Sequence, residues 1–447
     1  MDFPRRGGGR SGIRAARISP RRARGDPGER SKRGGRGARL IPRRIPGRSP
    51  RPFRLDSRAV RVRSFEELKT GSGYLPALDG IRALAFFLVF VLHSLSQLYF
   101  ALPNPERLSA LVRGAIDMGR FGVSLFFVLS SFLVTRLLLT ERARFGRIDV
   151  KAFLLRRGAR IWPLYVLLIV ALLGVRALHL PLPSISPREF LVYALFQGDI
   201  YHLFVHAGTV AYLWTIAVEE KFYVLWPFVL GRTGLGRIGQ GAPETGDATP
   251  RRLFRIALGL VAAAWIFRLL LAWNLPEPWF SVNPLAYLDA FGYGALLALS
   301  SRRDLARVSP LLALGLFLVA IWLASSLGFL IDVSRGHGAI GFTITQGLAA
   351  GASALLIGAL AEHRRGWPVF RPFIEVGKRS YGAYLFHVLV LIMLEPYALD
   401  AFSGRAVAVR VVALAVTLAL AFLSYRFVEA PFLRLKKRLE RVESRPV

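Results

Sequence analysis

The sequence contains no cysteine among its 447 residues, which excludes disulfide bonds, thiolate metal sites and a catalytic thiol. Acidic residues are also scarce: 28 Asp and Glu stand against 61 Lys and Arg, and the formal net charge is +33. Such a charge is typical of nucleic-acid-binding proteins when it is spread over a folded surface. Here it is unevenly distributed, so we expect no nucleic-acid partner, and no residue pattern indicates a metal site.

Half of the excess charge lies in the first 70 residues, which hold 22 Lys and Arg against 6 Asp and Glu. This segment is rich in Gly, Arg, Pro and Ser, and it cannot bury enough apolar surface to fold alone. We predict a disordered basic tail over residues 1–70, which either lies on anionic lipid or is a solvated extension without a specific role. A second basic tail is predicted over residues 434–447. No apolar stretch with a cleavage site precedes Leu78, so no signal peptide is expected.

Hydrophobic residues make up 53% of the chain. They cluster in blocks of about 20 separated by short basic or Pro/Gly-rich connectors, a pattern typical of polytopic helical membrane proteins. We therefore predict an all-α transmembrane bundle of about ten spans within a domain of residues 74–433. The predicted spans are 79–99, 120–140, 161–178, 212–231, 253–273, 285–300, 309–331, 341–361, 380–396 and 406–427.

The connectors at 141–160, 231–252, 301–308 and 362–379 are rich in Arg and Lys, as are both chain ends. With ten spans, all of them fall on one side, which the positive-inside rule assigns to the cytoplasm. Both termini are therefore predicted to be cytoplasmic. The segment from Glu189 to Val205 is apolar but interrupted by Gln197, Gly198 and Asp199, and we interpret it as a re-entrant or interfacial helix on the outer side.

His93 lies deep in the first predicted span, eleven residues after Arg82. Eleven residues are almost three helical turns, so the two side chains share a face and are separated by about 16 Å along the axis. Ionisable groups inside a membrane are retained mostly when they pair, line a cavity or do chemistry. Asp79 and Arg82 are spaced to pair across one turn, and packing against a neighbouring helix is the alternative for His93.

Arg157 and Arg160 are three residues apart at the cytoplasmic start of the third predicted span. Two guanidinium groups beside the free N–H groups of a helix start are suited to the phosphates of a nucleotide-bearing donor such as coenzyme A. The alternative is that these arginines only set the topology.

An acidic and aromatic cluster opens the fourth predicted span with Trp214, Glu219, Glu220 and Lys221. Successive helical residues diverge by about 100°, so the two glutamates cannot face one cavity. We keep both as catalytic candidates: Glu219 is expected to face inward and to orient His93 or a substrate hydroxyl, and the other carboxylate to pair with Lys221 or Arg268. An interfacial acidic pair within an aromatic belt is the alternative.

Arg268 and Asp289 fall in the outer halves of their predicted spans. Together with Asp79 and Trp214 they are candidate substrate-binding residues, although Arg268 and Asp289 can equally well pair with each other. His387 offers a second imidazole, for which packing is the simpler interpretation.

These segments, in this order, resemble the acyltransferase-3 family of integral membrane O-acyltransferases. The similarity covers nearly all of residues 74–433. The matching pieces are Leu78 to Arg82 with His93, Gly122 to Leu133, Arg157 and Arg160 before Pro163, Val218 to Pro227, Asp289 with Gly294, Ser380 to Gly382, and Ser424 to Phe432.

The resemblance implies a ten-helix core in a bacterial inner membrane. Such a core moves an acyl group, by default acetyl, from cytoplasmic acyl-CoA to a hydroxyl of an extracytoplasmic saccharide or glycosylated metabolite. The family's histidine and arginine fall on His93 and Arg82, and its paired arginines fall on Arg157 and Arg160. Ala217 and Lys221 depart from the usual serine and glutamine. No esterase-like segment follows Glu429, so any partner hydrolase is expected on a separate chain.

The resemblance therefore assigns His93 as a general base or a transient acyl carrier, and Arg82, Arg157 and Arg160 as ligands of the coenzyme A phosphates. Two other functions stay open. One is a transporter or flippase of a lipid-linked saccharide, in which the buried charges line a path; inverted repeats would favour it, and none is visible. The other is a non-enzymatic scaffold anchored by its basic tail.

Overall fold

The computed structural model describes residues 74–100, 109–205, 208–232, 248–272, 281–300, 305–335, 338–361, 371–398 and 404–437. The predicted tail over residues 1–70 lies outside these described ranges. The predicted tail over residues 434–447 also lies outside them, except for residues 434–437. Within these ranges the secondary structure is helical and contains no strand.

Fifteen α-helices are described. They are α1 (Pro76–Phe100), α2 (Ala110–Asp117), α3 (Phe121–Phe145), α4 (Val150–Ala177), α5 (Pro187–Ala194), α6 (Gly198–Phe204), α7 (Trp214–Arg232), α8 (Ala248–Ala272), α9 (Leu288–Leu299), α10 (Pro310–Arg335), α11 (Gly338–Ala361), α12 (Arg371–Lys378), α13 (Ser380–Leu394), α14 (Gly404–Ser424) and α15 (Ala430–Lys437). A π-helix, Tyr425–Glu429, joins α14 to α15.

Seven of the helical segments in the described part of the chain are long and apolar enough to cross a membrane. They are Pro76–Ser96, Ala110–Phe145, Val150–Ala177, Pro250–Leu270, Pro310–Gly328, Ile340–Ala361 and Gly404–Arg434. The protein is therefore an integral membrane protein with an all-helical fold. The remaining three predicted spans correspond to α7, which carries three consecutive charged residues, and to the shorter helices α9 and α13, which have 12 and 15 residues.

The turn between α3 and α4 is fixed by local chemistry. Gly146 ends α3 in a left-handed conformation with φ of 72°, which glycine adopts without a steric penalty. Asp149 then begins α4, because its side chain accepts a hydrogen bond from the backbone N–H of Ala152 at 3.0 Å. A buried ion pair of 3.0 Å between Arg156 and Glu141 ties the two helices together. This ion pair fixes the rotation of α4 about its axis, and therefore the direction in which the next residue, Arg157, points.

The segment expected to be one re-entrant or interfacial helix consists of two short helices, α5 and α6. At 1.5 Å per residue they are only about 12 Å and about 10 Å long, so neither can cross a membrane. Ser186 and Glu189 form a capping box that starts α5. Lys221 of α7 holds the start of α6 through Asp199, with 2.5 Å between Nζ and Oδ1.

The helices α1, α3, α4, α7 and α13 form the candidate site, and they are positioned by contacts with one another and with α6 and α12. α1 packs against α3, α12 and α13, and α7 packs against α3, α4 and α6. Gly377 permits the closest of these approaches, because a Cβ atom there would lie 1.7 Å from the backbone oxygen of Asp79. The N-terminal end of α1 and the start of α13 are thereby brought together.

Candidate active site

A pocket lies between α1, α3, α4, α7 and α13. Its polar lining consists of three arginines, one carboxylate and several hydroxyl groups. The lining residues are Arg82, Val123, Phe126, Phe127, Ser130, Arg157, Arg160, Ile161, Thr215, Ile216, Glu219, Tyr223, Ser380, Tyr381 and Tyr384. The pocket thus unites all three arginines that the sequence analysis assigned to a phosphate-bearing donor, and three cations against one carboxylate give its lining an excess of positive charge.

Arg82 reaches the pocket from the first turns of α1. Its guanidinium pairs with Asp79, as the spacing of three residues predicts, and Asp79 is fully buried. The phenol of Tyr74 donates a second hydrogen bond to Asp79, at 2.7 Å. Asp79 therefore orients Arg82 and does not line the pocket itself.

Arg157 and Arg160 extend from one face of α4 into the same pocket. The guanidinium of Arg157 lies over the ring of Tyr223, 4.4 Å from its centroid, a cation–π contact that fixes the planar group in place. Arg156 points the other way, into its ion pair with Glu141. The helical spacing therefore divides the arginines of this turn between one structural residue and two pocket residues.

Glu219 lines the pocket from α7. Its Oε1 accepts a hydrogen bond of 2.6 Å from the hydroxyl of Ser130 on α3, and Ser130 in turn accepts one of 3.0 Å from the phenol of Tyr223. The hydrogen bonds of Glu219 within the described residues do not include His93. In this structure Glu219 is therefore hydrogen-bonded to α3 and not to the imidazole.

Glu220 faces away from this pocket, as the divergence of successive helical residues predicts. Its Oε2 accepts a hydrogen bond of 3.3 Å from the indole N–H of Trp162. The expected pairing with Lys221 or Arg268 is not formed within the described residues, because Lys221 binds Asp199 and Arg268 binds Asp289.

His93 lies next to a second histidine. Nε2 of His387, on α13, is 3.3 Å from Nδ1 of His93, and the two rings meet edge to face with centroids 5.0 Å apart. Nδ1 of His93 is also 2.9 Å from the backbone oxygen of Val89, and Nδ1 of His387 is 2.6 Å from the backbone oxygen of Tyr384. His387 is fully buried, whereas His93 is partly exposed.

The histidine pair is one side chain beyond the pocket. Neither histidine belongs to the lining that the structure describes, but Tyr384 does, and its ring centroid is 5.3 Å from that of His387. The hydroxyl of Tyr384 forms a hydrogen bond of 2.7 Å with Thr215, which also lines the pocket. The ring of Tyr384 is therefore the side chain that links the pocket lining to the histidine pair.

The other candidate substrate-binding residues lie elsewhere. Arg268 and Asp289 form a buried ion pair with 2.6 Å between Nη2 and Oδ2. Trp214 packs against the rings of Phe127 and Tyr287, with centroid distances of 6.3 and 5.3 Å. None of the three belongs to the pocket lining. In the part of the chain described, no group of three or more His, Asp or Glu residues is arranged to hold a metal ion.

A profile of the acyltransferase domain family known as acyltransferase-3 matches residues 75–426, which include every helix that contributes to the pocket. The chain belongs to this family. The acyltransferase-3 match extends from the first residues of α1 to the π-helix, so the pocket and the histidine pair both lie inside the family domain.

Curated relatives are similar at low identity. An O-acetyltransferase OatA of Staphylococcus aureus is 27% identical over 380 residues, which is 80% of this chain and 57% of the relative. The peptidoglycan O-acetyltransferase OatA of Listeria monocytogenes is 25% identical over 376 residues, covering 80% and 56%. The chain thus spans little more than half the length of these relatives. No solved structure matches.

The acyltransferase-3 resemblance did not identify the groups that complete the site. Ser130 and Tyr384 are 89 and 169 residues from their partners Glu219 and Thr215, and His387 is 294 residues from His93. The sequence analysis gave packing as the simpler interpretation of His387 and assigned no role to Ser130 or Tyr384. A usable signal was present for His387, because two histidines within apolar segments of one membrane domain are expected to seek polar partners.

Proposed function

We propose that this protein transfers an acetyl group from acetyl-CoA to a hydroxyl of a saccharide or glycosylated acceptor on the opposite side of the bacterial cytoplasmic membrane. The observation that carries the proposal is the cationic pocket formed by Arg82, Arg157 and Arg160, which ends one side chain away from the histidine pair. The names of the relatives support acetyl as the acyl group and peptidoglycan-like saccharides as the acceptor class.

The arginines would bind the phosphates of the donor. Arginine suits this role because its planar guanidinium donates paired hydrogen bonds to phosphate oxygens. Arg82 precedes His93 by eleven residues on α1, which corresponds to about 16 Å along the helix axis. A donor whose phosphates lie at Arg82 would therefore extend its thioester arm along the bundle towards Tyr384 and the imidazoles.

His93 would carry the chemistry by one of two routes. As a general base, Nε2 takes the proton of the acceptor hydroxyl while that oxygen attacks the thioester carbonyl; a C–O bond forms, the C–S bond breaks, and the coenzyme A thiolate takes the proton from Nε2. As an acyl carrier, Nε2 itself attacks the carbonyl, a C–N bond forms, and the C–S bond breaks to release the thiolate. The acceptor oxygen then forms a C–O bond to the acyl carbon while the C–N bond breaks, and the hydroxyl proton passes to the thiolate. Both routes require Nε2 to begin without a proton.

The topology that fits this function has ten crossings with both termini cytoplasmic. The three shorter or more charged helices α7, α9 and α13 would complete the seven long ones, since each packs among them. An even number of crossings places every Arg/Lys-rich connector on one side. The arginine end of the pocket would then open to the cytoplasm, where acetyl-CoA is made available, and the basic tail over residues 1–70 would lie on anionic lipid.

The proposal is tested with the full chain reconstituted in liposomes and supplied with radiolabelled acetyl-CoA and a peptidoglycan-type glycan acceptor. We expect acetyl transfer by the parent protein and a loss of at least 100-fold in His93→Ala, in the range typical of a positioned acid–base group, about 10²- to 10⁴-fold. His202→Ala is the matched control, because Nδ1 of His202 also contacts a backbone oxygen, that of Val205, but lies outside the pocket.

Two results would contradict the proposal. One is undiminished transfer by His93→Ala protein. The other is an absence of acetyl transfer by the parent protein together with movement of a fluorescent lipid-linked saccharide across the bilayer, which would establish the transporter function instead.

A further inference from the structure

We propose that His387 is a positioning residue for the reaction of His93. Its Nε2 accepts a hydrogen bond from Nδ1–H of His93, which keeps Nε2 of His93 free of a proton and ready to react. The inference rests on the proposed function, since it concerns the same imidazole.

The protonation pattern follows from the two backbone contacts. A carbonyl oxygen only accepts, so Nδ1 of His387, 2.6 Å from the backbone oxygen of Tyr384, must carry a proton. A neutral imidazole carries one proton, so Nε2 of His387 holds a lone pair. That lone pair points at Nδ1 of His93, 3.3 Å away.

The proton on His93 is located in the same way. Its Nδ1 is 2.9 Å from the backbone oxygen of Val89, which can only accept. That oxygen is four residues back in the same helix, and its two lone pairs let it accept both the main-chain N–H and the ring N–H of His93. The Nδ1–H of His93 therefore has two acceptors within reach, the Val89 oxygen at 2.9 Å and the lone pair of His387 at 3.3 Å. Both contacts require the proton of His93 to be on Nδ1, and His387 is the only one of the two acceptors that belongs to a side chain.

The arrangement distinguishes the reacting ring from the supporting ring. His387 is fully buried and uses both of its nitrogens, whereas His93 is partly exposed and its Nε2 forms no hydrogen bond within the described residues. When Nε2 of His93 takes a proton or an acyl group, the ring gains positive charge and its Nδ1–H becomes a stronger donor. His387 then supports the charged ring in the manner in which an acceptor behind a catalytic histidine supports an imidazolium.

The surroundings of His387 hold the ring in this orientation. The rings of Phe86, Tyr212 and Tyr384 lie 5.3 to 6.2 Å from it, centroid to centroid. The phenol of Tyr212 donates a hydrogen bond of 2.5 Å to the backbone oxygen of Leu385, which anchors the helix turn before His387. A ring enclosed in this way cannot rotate to exchange its nitrogens without moving several aromatic neighbours.

The test compares two replacements of His387. His387→Gln keeps an acceptor oxygen near the position of Nε2, and His387→Phe keeps a ring of similar size without an acceptor. In the liposome assay we expect His387→Phe to lower kcat by about 10- to 100-fold, the effect typical of losing an orienting partner, with the KM for acetyl-CoA unchanged. His387→Gln should stay within a few-fold of the parent. Phe90→Leu, at a buried ring of α1 that is not one of the rings around His387, is the packing control and should also stay within a few-fold.

A spectroscopic measurement keeps the inference testable if the phenylalanine variant does not fold. The chain has seven histidines, so the ¹⁵N signals of His93 are identified in histidine-labelled protein by comparison with His93→Ala. We expect the parent protein to show a protonated Nδ1 and an unprotonated Nε2, and His387→Gln to show the same pattern.

Three outcomes would overturn the inference: full kcat in His387→Phe, equal loss in the Phe and Gln variants, or a protonated Nε2 on His93 in the parent protein. These failures are distinguishable from failure of the proposed function. If His93→Ala is inactive while His387→Phe is fully active, only the role of His387 is wrong. If His93→Ala is active, the proposed function is wrong whatever the His387 variants do.

Discussion

Arg268 of α8 and Asp289 of α9 form an ion pair whose two side chains are almost entirely buried, with 2.6 Å between Nη2 and Oδ2. Nη1 of Arg268 also donates to the backbone oxygen of Ala286, just before α9. Gly292 lets the two helices approach, because a Cβ atom there would lie 2.7 Å from the backbone oxygen of Ala257. Each charge is therefore balanced by the other and by the backbone, as a buried charge requires.

The first prediction concerns the stability that depends on this pair. Asp289→Leu leaves the guanidinium of Arg268 buried without its carboxylate, and we expect the free energy of unfolding to fall by about 3–5 kcal/mol. The double variant Arg268→Met with Asp289→Leu removes both charges and should be more stable than Asp289→Leu alone. Thermal unfolding in detergent, followed by tryptophan fluorescence, measures both. A double variant less stable than Asp289→Leu would contradict this account.

The second prediction concerns the contact between α9 and α3. A Cβ atom at Gly294 would lie 2.3 Å from the backbone oxygen of Val128, and backbone cannot move aside as a flexible side chain can. We expect Gly294→Ala to destabilise the protein by about 1–3 kcal/mol, the usual cost of overpacking. Gly315→Ala in α10 is the control, because nothing lies within 4 Å of its Cβ position.

The control should leave stability unchanged or raise it by up to about 1 kcal/mol, since alanine is the better helix former. The measurement is the melting temperature of Gly294→Ala and of Gly315→Ala, each compared with that of the parent protein. Equal stability of Gly294→Ala and the parent would mean that α3 and α9 are not as close as described.

The third prediction concerns donor binding. If Arg160 binds a phosphate of acetyl-CoA, Arg160→Ala loses a charge-assisted hydrogen bond, about 1.5–3 kcal/mol, and the KM for acetyl-CoA should rise by about 10- to 100-fold. The kcat should change by no more than a few-fold, because the arginine is not the reacting group. Arg434→Ala removes an exposed arginine of α15 outside the pocket and is the control for charge.

A second substrate separates phosphate binding from a structural effect of Arg160→Ala. Acetyl-pantetheine carries the thioester but no phosphate, so its kcat/KM should be the same in the parent and in the variant. A variant that loses activity equally towards both donors would indicate a damaged pocket and would count against the phosphate role.

Much of the fold was predictable because the membrane imposes simple rules on sequence. Blocks of about 20 apolar residues indicate helices, and each of the seven long spans overlaps a predicted one, although several are longer than predicted. Helical spacing also predicted which side chains share a face: Asp79 pairs with Arg82, Arg157 and Arg160 line one pocket, and Glu219 and Glu220 point different ways. The segment from Glu189 to Val205 was predicted to be one helix and consists of two, separated at Phe196, whose φ is 53°.

The partners of the polar groups were less predictable. The sequence analysis names Lys221 and Arg268 as candidate partners of Glu220. In the structure Lys221 pairs with Asp199, and Arg268 pairs with Asp289. The contact from Trp162 to Glu220 spans 58 residues of sequence, and no local pattern marks it. Many polar side chains inside a membrane protein need partners, and the sequence alone does not determine the choice among them.

The sequence by itself determined that this protein is a helical membrane protein, because hydrophobic block length and residue spacing depend only on neighbours along the chain. Its ordered motifs also carried the resemblance to the acyltransferase-3 family, which the family profile confirmed. Only the tertiary structure decided that His93 meets His387 and that three arginines from α1 and α4 enclose one pocket. Helix periodicity specifies the face on which a residue lies. Which other helix packs against that face depends on interactions between residues hundreds of positions apart, and these exist only after the bundle has assembled.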